Sequence, residues 1–220
     1  MIGKLWDMMW DLLYPRKCIL CGKILKMKET AFCKNCAGIP EPVTEPLVVG
    51  TAFQCCYSVF YYRDDIASAI KQYKFSGKIH LGKSFGILLS QVLREQNVTA
   101  DVITWAPVSK KRKRKRGYDQ GQELARAVGK ELGIPVVELL KKVRHNSAQA
   151  MISDYSQREA NVKNVYSVVD PGKVSGKRIL LLDDVITSGA TLTECSQILR
   201  AAGAQSIVCG TFAAAREGQS

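Results

Sequence analysis

The chain has 220 residues and an ordinary globular composition, with 46% hydrophobic and 24% charged residues and a formal net charge of +12. A chain of this length can bury one core and spare a few dozen residues for a small appended module. No apolar stretch reaches the roughly 20 residues that a helical membrane span needs, which excludes a protein built from such spans.

The first residues predict an amphipathic helix. Apolar side chains from Ile2 to Leu13 form one stripe, and Asp7 and Asp11 lie off it. These acids interrupt the apolar run and no small-residue cleavage site follows, so we expect no signal peptide and a cytoplasmic protein. The polar face lacks the basic residues of most membrane-surface helices, which favours docking on protein and leaves membrane docking as the alternative.

Two C-x-x-C pairs follow, separated by eleven residues. Such pairs suit four thiolates around one tetrahedral zinc, each pair supplied by a tight turn. Two disulfides are the alternative, but a chain without an export signal stays where thiols are reduced. We therefore predict a structural zinc site with no open coordination position. Its ligands are Cys18, Cys21, Cys33 and Cys36.

A proline-bearing stretch from Ile39 to Pro46 ends the cysteine module and predicts a stiff linker. We place a domain boundary here. Residues 1–46 then hold the first helix, the zinc module and the linker, and residues 47–220 form a larger domain.

Strand-type and helix-type segments alternate after the linker. Phe53 to Tyr62 predicts a strand, Asp64 to Lys74 a helix and Val102 to Trp105 a buried strand. This order predicts an α/β fold with a largely parallel sheet and flanking helices. Four further cysteines lie in apolar segments and are expected to be small core residues: Cys55, Cys56, Cys195 and Cys209.

The segment from Gly77 to Ser84 matches the G-x-x-x-x-G-K-[ST] phosphate loop letter for letter. An ATPase is therefore an alternative function. A working loop of this kind needs a buried strand directly before it, whereas Asp64 to Lys74 repeats at helical spacing. The context thus argues against nucleotide hydrolysis.

Seven consecutive cations run from Lys110 to Arg116, directly after a strand and a short turn. Like charges at this density repel one another, which is typical of a solvated loop. The position after a sheet strand also suits a pyrophosphate group or a nucleic-acid backbone. The candidate anion-binding residues are Ser109, Lys110, Arg112, Arg114, Arg116 and Gly117.

The segment from Arg178 to Thr191 joins a buried strand, two carboxylates and a loop of small residues that opens a helix. The backbone N–H groups of such a loop can close around a phosphate, and the carboxylates follow the strand where α/β sheets place ligands. A strand end followed by a helix cap is the alternative. The pattern favours a sugar-phosphate site.

This segment resembles the phosphoribosyl pyrophosphate (PRPP) motif of type I phosphoribosyltransferases, in which two acids and two apolar residues precede a Thr/Ser-rich glycine loop. The resemblance implies that Asp183 and Asp184 bind the ribose hydroxyls, that the loop binds the 5-phosphate, and that Mg²⁺ lies across the diphosphate. The implied PRPP-binding residues are Asp183, Asp184, Val185, Ile186, Thr187, Ser188, Gly189, Ala190 and Thr191.

A narrower resemblance, to the ComF (competence protein F) family, covers most of the chain. It rests on the four cysteines, Tyr73-Lys74-Phe75, Arg116-Gly117-Tyr118-Asp119-Gln120, and a hood segment with Gln149, Met151, Arg158 and Asn161-Val162; Asp119 and Met151 depart from the usual residues. Membership implies a zinc finger fused to a type I phosphoribosyltransferase domain. It also implies a cytoplasmic role in natural transformation, with PRPP, single-stranded DNA and other DNA-uptake proteins as partners.

The sequence names neither an acceptor substrate nor a catalytic base. His80 and His145 each stand alone, and a lone histidine is more often a surface or core residue than a base. Two functions therefore stay open. One is transfer of ribose 5-phosphate to an unknown acceptor, and the other is a DNA-binding transformation factor that uses PRPP only as a ligand.

Overall fold

The computed structural model describes residues 16–47, 51–143 and 165–216. The expected N-terminal helix, His145 and the expected hood segment from Gln149 to Val162 lie outside these residues.

The centre of the molecule is a parallel sheet, as the alternating pattern predicts. Its strands are β1 (Cys56–Tyr61), β2 (Val102–Trp105), β5 (Arg178–Ile186) and β6 (Ser206–Ala214), in the order β1-β6-β5-β2. Parallel strands are buried on both faces, which explains the unbroken apolar run from Ile179 to Leu182 in β5. All four residues of β2 are buried.

Five helices pack around these strands within the described part of the chain. They are α1 (Asp64–Phe75), α2 (Leu81–Glu95), α3 (Lys110–Arg116), α4 (Gln120–Leu132) and α5 (Ala190–Ala201), with a short 3₁₀ helix at Pro171–Lys173. Helices α1, α2 and α4 share one apolar cluster with Leu180 and Leu182 of β5, whereas α5 shares a second cluster with Leu181. Alternate residues of β5 therefore face different layers of helices.

Helices α2 and α4 approach each other unusually closely. A Cβ atom added at Gly86 of α2 would lie 2.3 Å from the Cβ of Ala127. This contact needs a glycine, and it lets the middle of α4 pack directly on α2.

A small antiparallel pair, not expected from the sequence, lies apart from the main sheet. It consists of β3 (Leu140–Lys142) and β4 (Tyr166–Val168), with Lys142 opposite Tyr166. The segments are only 3 residues each, too short for a period-2 pattern to mark them as strands.

The predicted linker is partly a sheet edge. The N–H of Val43 donates to the carbonyl of Val59 (3.1 Å), and Leu47 and Cys56 exchange both backbone hydrogen bonds (2.9 and 2.8 Å). The stretch from Pro42 to Leu47 therefore lies antiparallel to β1 and covers its free edge. The domain boundary at residue 46 remains a prediction.

The run of seven cations forms helix α3, so the loop predicted from charge repulsion is wrong. The side chain of Ser109 accepts a hydrogen bond from the N–H of Arg112 (3.3 Å) at the first turn. Gly117 ends the helix in the left-handed conformation, with φ +83°. These two caps satisfy terminal backbone groups, and the exposed side chains from Lys110 to Lys115 spread their charge into water.

Candidate functional site

A cleft of about 310 Å³ opens at the carboxyl edge of the sheet. The carboxyl ends of β2 and β5 are neighbours there, because the two strands pair in parallel. Its lining comes from β5 and its following loop, the turn after β2, helices α1, α3 and α4, and the β3–β4 pair. The lining residues are Tyr62, Lys74, Ala106, Pro107, Val108, Arg112, Gln120, Lys142, Tyr166, Asp183, Asp184, Val185, Thr187 and Thr191.

Asp184 is buried on the side of the sheet that α1 covers. Its Oδ1 lies 2.8 Å from the Nζ of Lys74, and the two side chains are 4% and 23% exposed. Its Oδ2 is buried and has no hydrogen-bond partner among the described residues. A buried carboxylate oxygen without a donor is costly, so this atom lacks a partner that the described residues do not supply.

Asp183, the preceding residue, points toward the other layer because successive side chains of a strand alternate. Burial, and to a lesser extent the neighbouring Asp184 carboxylate, raise the pKa of Asp183 to about 7, while the Lys74 ammonium opposes the shift. Its Oδ1 accepts a hydrogen bond from the N–H of Asp184 (2.8 Å). The two acids are thus held in different surroundings at one point of the chain.

The loop after β5 forms a small cup of about 30 Å³ next to the cleft. The cup is lined by Asp183 and by the residues from Val185 to Leu192. It shares four lining residues with the cleft, namely Asp183, Val185, Thr187 and Thr191. Gly189 adopts φ +74° and precedes the first turn of α5. The loop therefore aims the positive end of a 12-residue helix at the cup, the geometry that favours a phosphate.

Three cations line the cleft on different sides. Lys74 comes from α1, Arg112 from α3 and Lys142 from β3. Lys142 lies 4.9 Å from the ring centre of Tyr166, and its Nζ donates to the Tyr166 hydroxyl (3.2 Å). Burial and the nearby Arg112 lower the pKa of the Lys142 ammonium. A cluster of cations beside two acids and a phosphate cup suits a sugar phosphate with a second anionic group.

The other predicted residues of the basic run do not line the cleft. Ser109 caps α3, while Lys110, Arg114 and Gly117 are exposed. Arg116 lies over the Phe75 ring, 4.8 Å from its centre, and donates to the Gln120 Oε1 (2.5 Å). Of the predicted anion-binding cations, only Arg112 reaches the cleft.

Asp119 holds the turn that borders the cleft. Its carboxylate accepts hydrogen bonds from the N–H groups of Val108 (3.2 Å), Gly121 (3.1 Å) and Gln122 (3.3 Å). Burial raises the pKa of Asp119, and the backbone donors oppose that shift. The residue thus caps α4 and fixes the turn after β2 at the same time.

The motif Tyr73-Lys74-Phe75 is fixed from both sides. The Tyr73 hydroxyl donates to the carbonyl of Gln120 (2.7 Å), and the Tyr118 hydroxyl donates to the carbonyl of Tyr73. These contacts hold Lys74 in reach of Asp184.

The four cysteines come together as predicted. Their Sγ atoms all lie within 4.8 Å of one another, and Cys21 and Cys33 are 3.7 Å apart. Tetrahedral zinc with Zn–S bonds of about 2.3 Å places sulfurs about 3.8 Å apart, so the cluster fits that ion. Glu29 steadies the segment between the pairs by accepting from the N–H groups of Lys26 (2.8 Å) and Lys34 (2.9 Å).

The G-x-x-x-x-G-K-[ST] match has the wrong surroundings for a nucleotide phosphate loop. Gly77 follows helix α1 instead of a strand, and α2 starts at Leu81, inside the motif. These two helices confirm the sequence argument that Gly77–Ser84 is not a nucleotide phosphate loop.

Comparison with known proteins supports the prediction of a zinc module followed by a phosphoribosyltransferase-like domain. Residues 118–220 match the family model of the phosphoribosyl transferase domain, and residues 9–50 match that of the double zinc ribbon domain. Competence protein F of Haemophilus influenzae is 28% identical over 86% of this chain and 81% of its own length. The resemblance to the ComF family is confirmed.

Two further relatives match along a similar span. Competence protein ComFC of Streptococcus pneumoniae is 26% identical over 87% of this chain and 96% of its own. DNA utilization protein YhgH of Escherichia coli K12 is 26% identical over 86% of each chain. The fold is therefore a type I phosphoribosyltransferase sheet preceded by a zinc ribbon, and the four-cysteine cluster supports a structural zinc.

Eight of the described residues that line the cleft were not predicted as site residues, and Lys74, Lys142 and Tyr166 are among them. Lys74 was available in the Tyr73-Lys74-Phe75 motif, but no local signal connects it with Asp184, 110 residues later. Lys142 and Tyr166 carry no signal at all, since their place depends on the β3–β4 pairing.

Proposed function

We propose that this chain binds PRPP in the cleft and single-stranded DNA along helix α3, and that it handles incoming DNA during natural transformation. The observation that carries the PRPP part is the cleft itself. Among the described residues, it places the Asp183–Asp184 pair and three cations next to the phosphate cup.

Each part of PRPP has a chemical partner in this arrangement. The ribose hydroxyls suit the Asp183 and Asp184 carboxylates, because the Asp184 Oδ2 lacks a donor among the described residues. The 5-phosphate suits the cup from Val185 to Thr191, and the diphosphate suits Arg112 and Lys142. Carboxylates beside a diphosphate also fit Mg²⁺, which would neutralise the charge of the leaving group.

The nucleic-acid part rests on α3 and on the relatives. All seven residues of α3 are cations, and six of them are exposed. Such a helix holds a phosphate backbone by counterion release. The relatives carry the names competence protein and DNA utilization protein, which supports a nucleic-acid partner.

Transferase activity and ligand binding are two versions of this proposal. Transfer would place a nucleophile against C1 of the ribose while pyrophosphate leaves, with positioned charges stabilising a cationic transition state. Incubation with PRPP, Mg²⁺ and a panel of bases, amines and single-stranded DNA separates the two. Release of pyrophosphate that depends on one acceptor identifies an enzyme, and binding without release identifies a PRPP-responsive binding protein.

The first prediction tests the PRPP site directly. Replacing both acids, Asp183→Asn with Asp184→Asn, should abolish PRPP binding in calorimetric titration, because the ribose acceptors are lost together. The matched control is Asp64→Asn with Asp65→Asn, an adjacent pair of exposed acids at the start of α1. Undiminished PRPP affinity in the first variant, or an equal loss in the control, would refute the proposed site.

A further inference from the structure

The last residue of α1, Phe75, is the starting point of a further inference. Its side chain is 71% exposed. Burying an aromatic ring is favourable, so a ring left in water gains stability when a ligand covers it. The helical turn that carries Phe75 is anchored to the body of the protein, because Tyr73 in the same turn is buried and hydrogen-bonded to Gln120.

A cation lies on one side of this ring. The guanidinium of Arg116 lies over the Phe75 ring at 4.8 Å from its centre, and Gln120 holds that guanidinium through a hydrogen bond of 2.5 Å. Because the ring stays mostly exposed, a planar group still has access to it. Aromatic and guanidinium planes are the two surfaces on which unpaired bases stack.

The positive charge around Phe75 favours a polyanionic ligand. Arg116 is the last residue of α3, so the aromatic ring adjoins a helix of seven cations that contains no acid. Arg112 lies one turn before Arg116 on the same side of the helix and lines the cleft. An exposed aromatic ring and two cations therefore lie in a row, in the order Phe75, Arg116 and Arg112. The row ends at the cleft that contains the two aspartates.

We propose that Phe75, with Arg116 on its ring, is a base-stacking platform for single-stranded nucleic acid whose backbone lies along α3. The inference rests on the proposed nucleic-acid binding and adds a preference to it. In a duplex the bases are already stacked on each other, so the platform favours single strands over duplexes. Electrostatic contacts by α3 alone carry no such preference.

The experiment compares a normal oligonucleotide with an abasic one of the same length, by fluorescence anisotropy. Wild-type protein should bind the normal strand about tenfold more tightly than the abasic strand, the size expected for one stacked base. Phe75→Ala should lose this difference and bind both strands as the wild type binds the abasic one. Phe75→Trp should keep or increase it, whereas Phe75→Leu, which stays apolar but not aromatic, should behave as Phe75→Ala.

Two controls isolate the effect of the ring. Val169→Ala removes another exposed apolar side chain, 46% exposed on the β4 side of the molecule, and should leave both affinities unchanged. The slope of log affinity against log salt should be equal in wild type and Phe75→Ala, because no charge changes.

The outcomes separate the inference from the proposed function. If Phe75→Ala binds the normal strand as well as the wild type does, the proposal of a stacking platform is wrong and the basic helix alone accounts for the binding. If wild type binds no oligonucleotide, the nucleic-acid part of the proposed function and this inference are both wrong. If Phe75→Ala changes only the sedimentation of the protein, the ring belongs to an interface between copies and the proposal is overturned.

Discussion

At the scale of single residues, the candidate site depends on two neighbouring aspartates that differ in their surroundings. Asp184 has an ion-pair partner in Lys74 and an oxygen without a donor among the described residues, whereas Asp183 has a backbone donor and a raised pKa. The alternation of a β-strand produces this difference, since adjacent side chains enter different layers of the fold. One carboxylate is thus paired with a fixed cation, and the other is poised to titrate near neutrality.

Lys74→Met tests the ion pair at Asp184. Removing one partner of a buried pair leaves an uncompensated charge, and we expect a loss of about 2–3 kcal/mol in the free energy of unfolding, since Lys74 is partly exposed. Lys74→Arg should lose far less, and adding Asp184→Asn to Lys74→Met should restore most of the loss. Urea denaturation measures all three variants. A Lys74→Met protein as stable as wild type would show that Asp184 is solvated enough to need no partner.

The raised pKa of Asp183 predicts that the stability of the fold decreases as pH rises. Its folded-state pKa is about 7 and its ordinary value is 3.8, so between these pH values the folded chain keeps a proton that the unfolded chain releases. The contribution of Asp183 to stability therefore falls as pH rises from about 4 to about 7. Asp183→Asn should lack this part of the decline.

The measurement is urea denaturation at pH 5 and pH 8 without PRPP or magnesium. The wild type should lose more stability between these values than Asp183→Asn does. An identical pH dependence in the two proteins would contradict the raised pKa.

At the scale of elements, the site is made by the loops and helices that come after the strands at one edge of the sheet. The cup comes after β5, α3 comes after the turn at the end of β2, and Lys142 reaches in from β3. Helix α3 has only 7 residues, so its cations are displayed on a short, capped cylinder instead of an open loop. A fixed display of charge suits a regular phosphate backbone.

Replacing Arg112, Lys113, Arg114 and Lys115 with alanine tests α3 as a nucleic-acid contact. Binding of single-stranded DNA should weaken for every sequence, and the slope of log affinity against log salt should flatten by up to roughly 0.7 per lost phosphate contact. PRPP binding should fall less, because its ribose and 5-phosphate contacts lie from Asp183 to Thr191. Anisotropy over a salt series provides both values.

A charge-matched variant controls for net charge in that experiment. Lys71, Lys83, Lys130 and Lys177 are exposed cations outside α3, and their replacement with alanine removes the same charge. This control should keep most of the affinity and the slope. Equal losses in both variants would mean that the overall charge of the protein attracts DNA and that α3 has no special part.

At the scale of the whole molecule, the cysteine module is part of the main core. Phe32 packs edge-on against Phe60 of β1 (5.6 Å between ring centres), and Phe60 packs in the same way on Phe212 of β6 (5.7 Å). Ile19 and Ala31 belong to the same buried cluster as α1, α2 and α4. The module thus covers apolar side chains of the sheet, and its loss would expose them to water.

Cys33→Ser tests the metal and this packing together. Purified wild-type protein should contain one zinc, and the variant should lose it and unfold residues 15–40, because so short a segment has too little apolar core without metal. The melting temperature of the larger domain should also fall, since Phe60 loses its cover. Elemental analysis and thermal denaturation measure the two effects, with Cys55→Ser, a half-buried cysteine outside the cluster, as control.

The alternative chemistry predicts a different result for the wild type. A zinc-free protein with a disulfide among the four clustered cysteines would show that the predicted zinc site is wrong.

The sequence by itself determined the features that are contiguous in the chain. Each of these features depends on neighbours within a few residues. They are the strand, acids and loop from Arg178 to Thr191, the spacing of the two cysteine pairs, and the helical pattern before Gly77–Ser84 that argues against a nucleotide phosphate loop. Backbone geometry relates such neighbours directly, because a strand has a period of 2 and a helix a period of 3.6.

Tertiary structure alone decided which distant groups complete the site. Lys74 meets Asp184, Lys142 meets Tyr166, and Arg116 covers Phe75 only after α1, α3 and the β3–β4 pair are packed at one edge of the sheet. Contacts of this kind result from the burial of remote apolar faces against each other, and no local period in a single sequence records that burial.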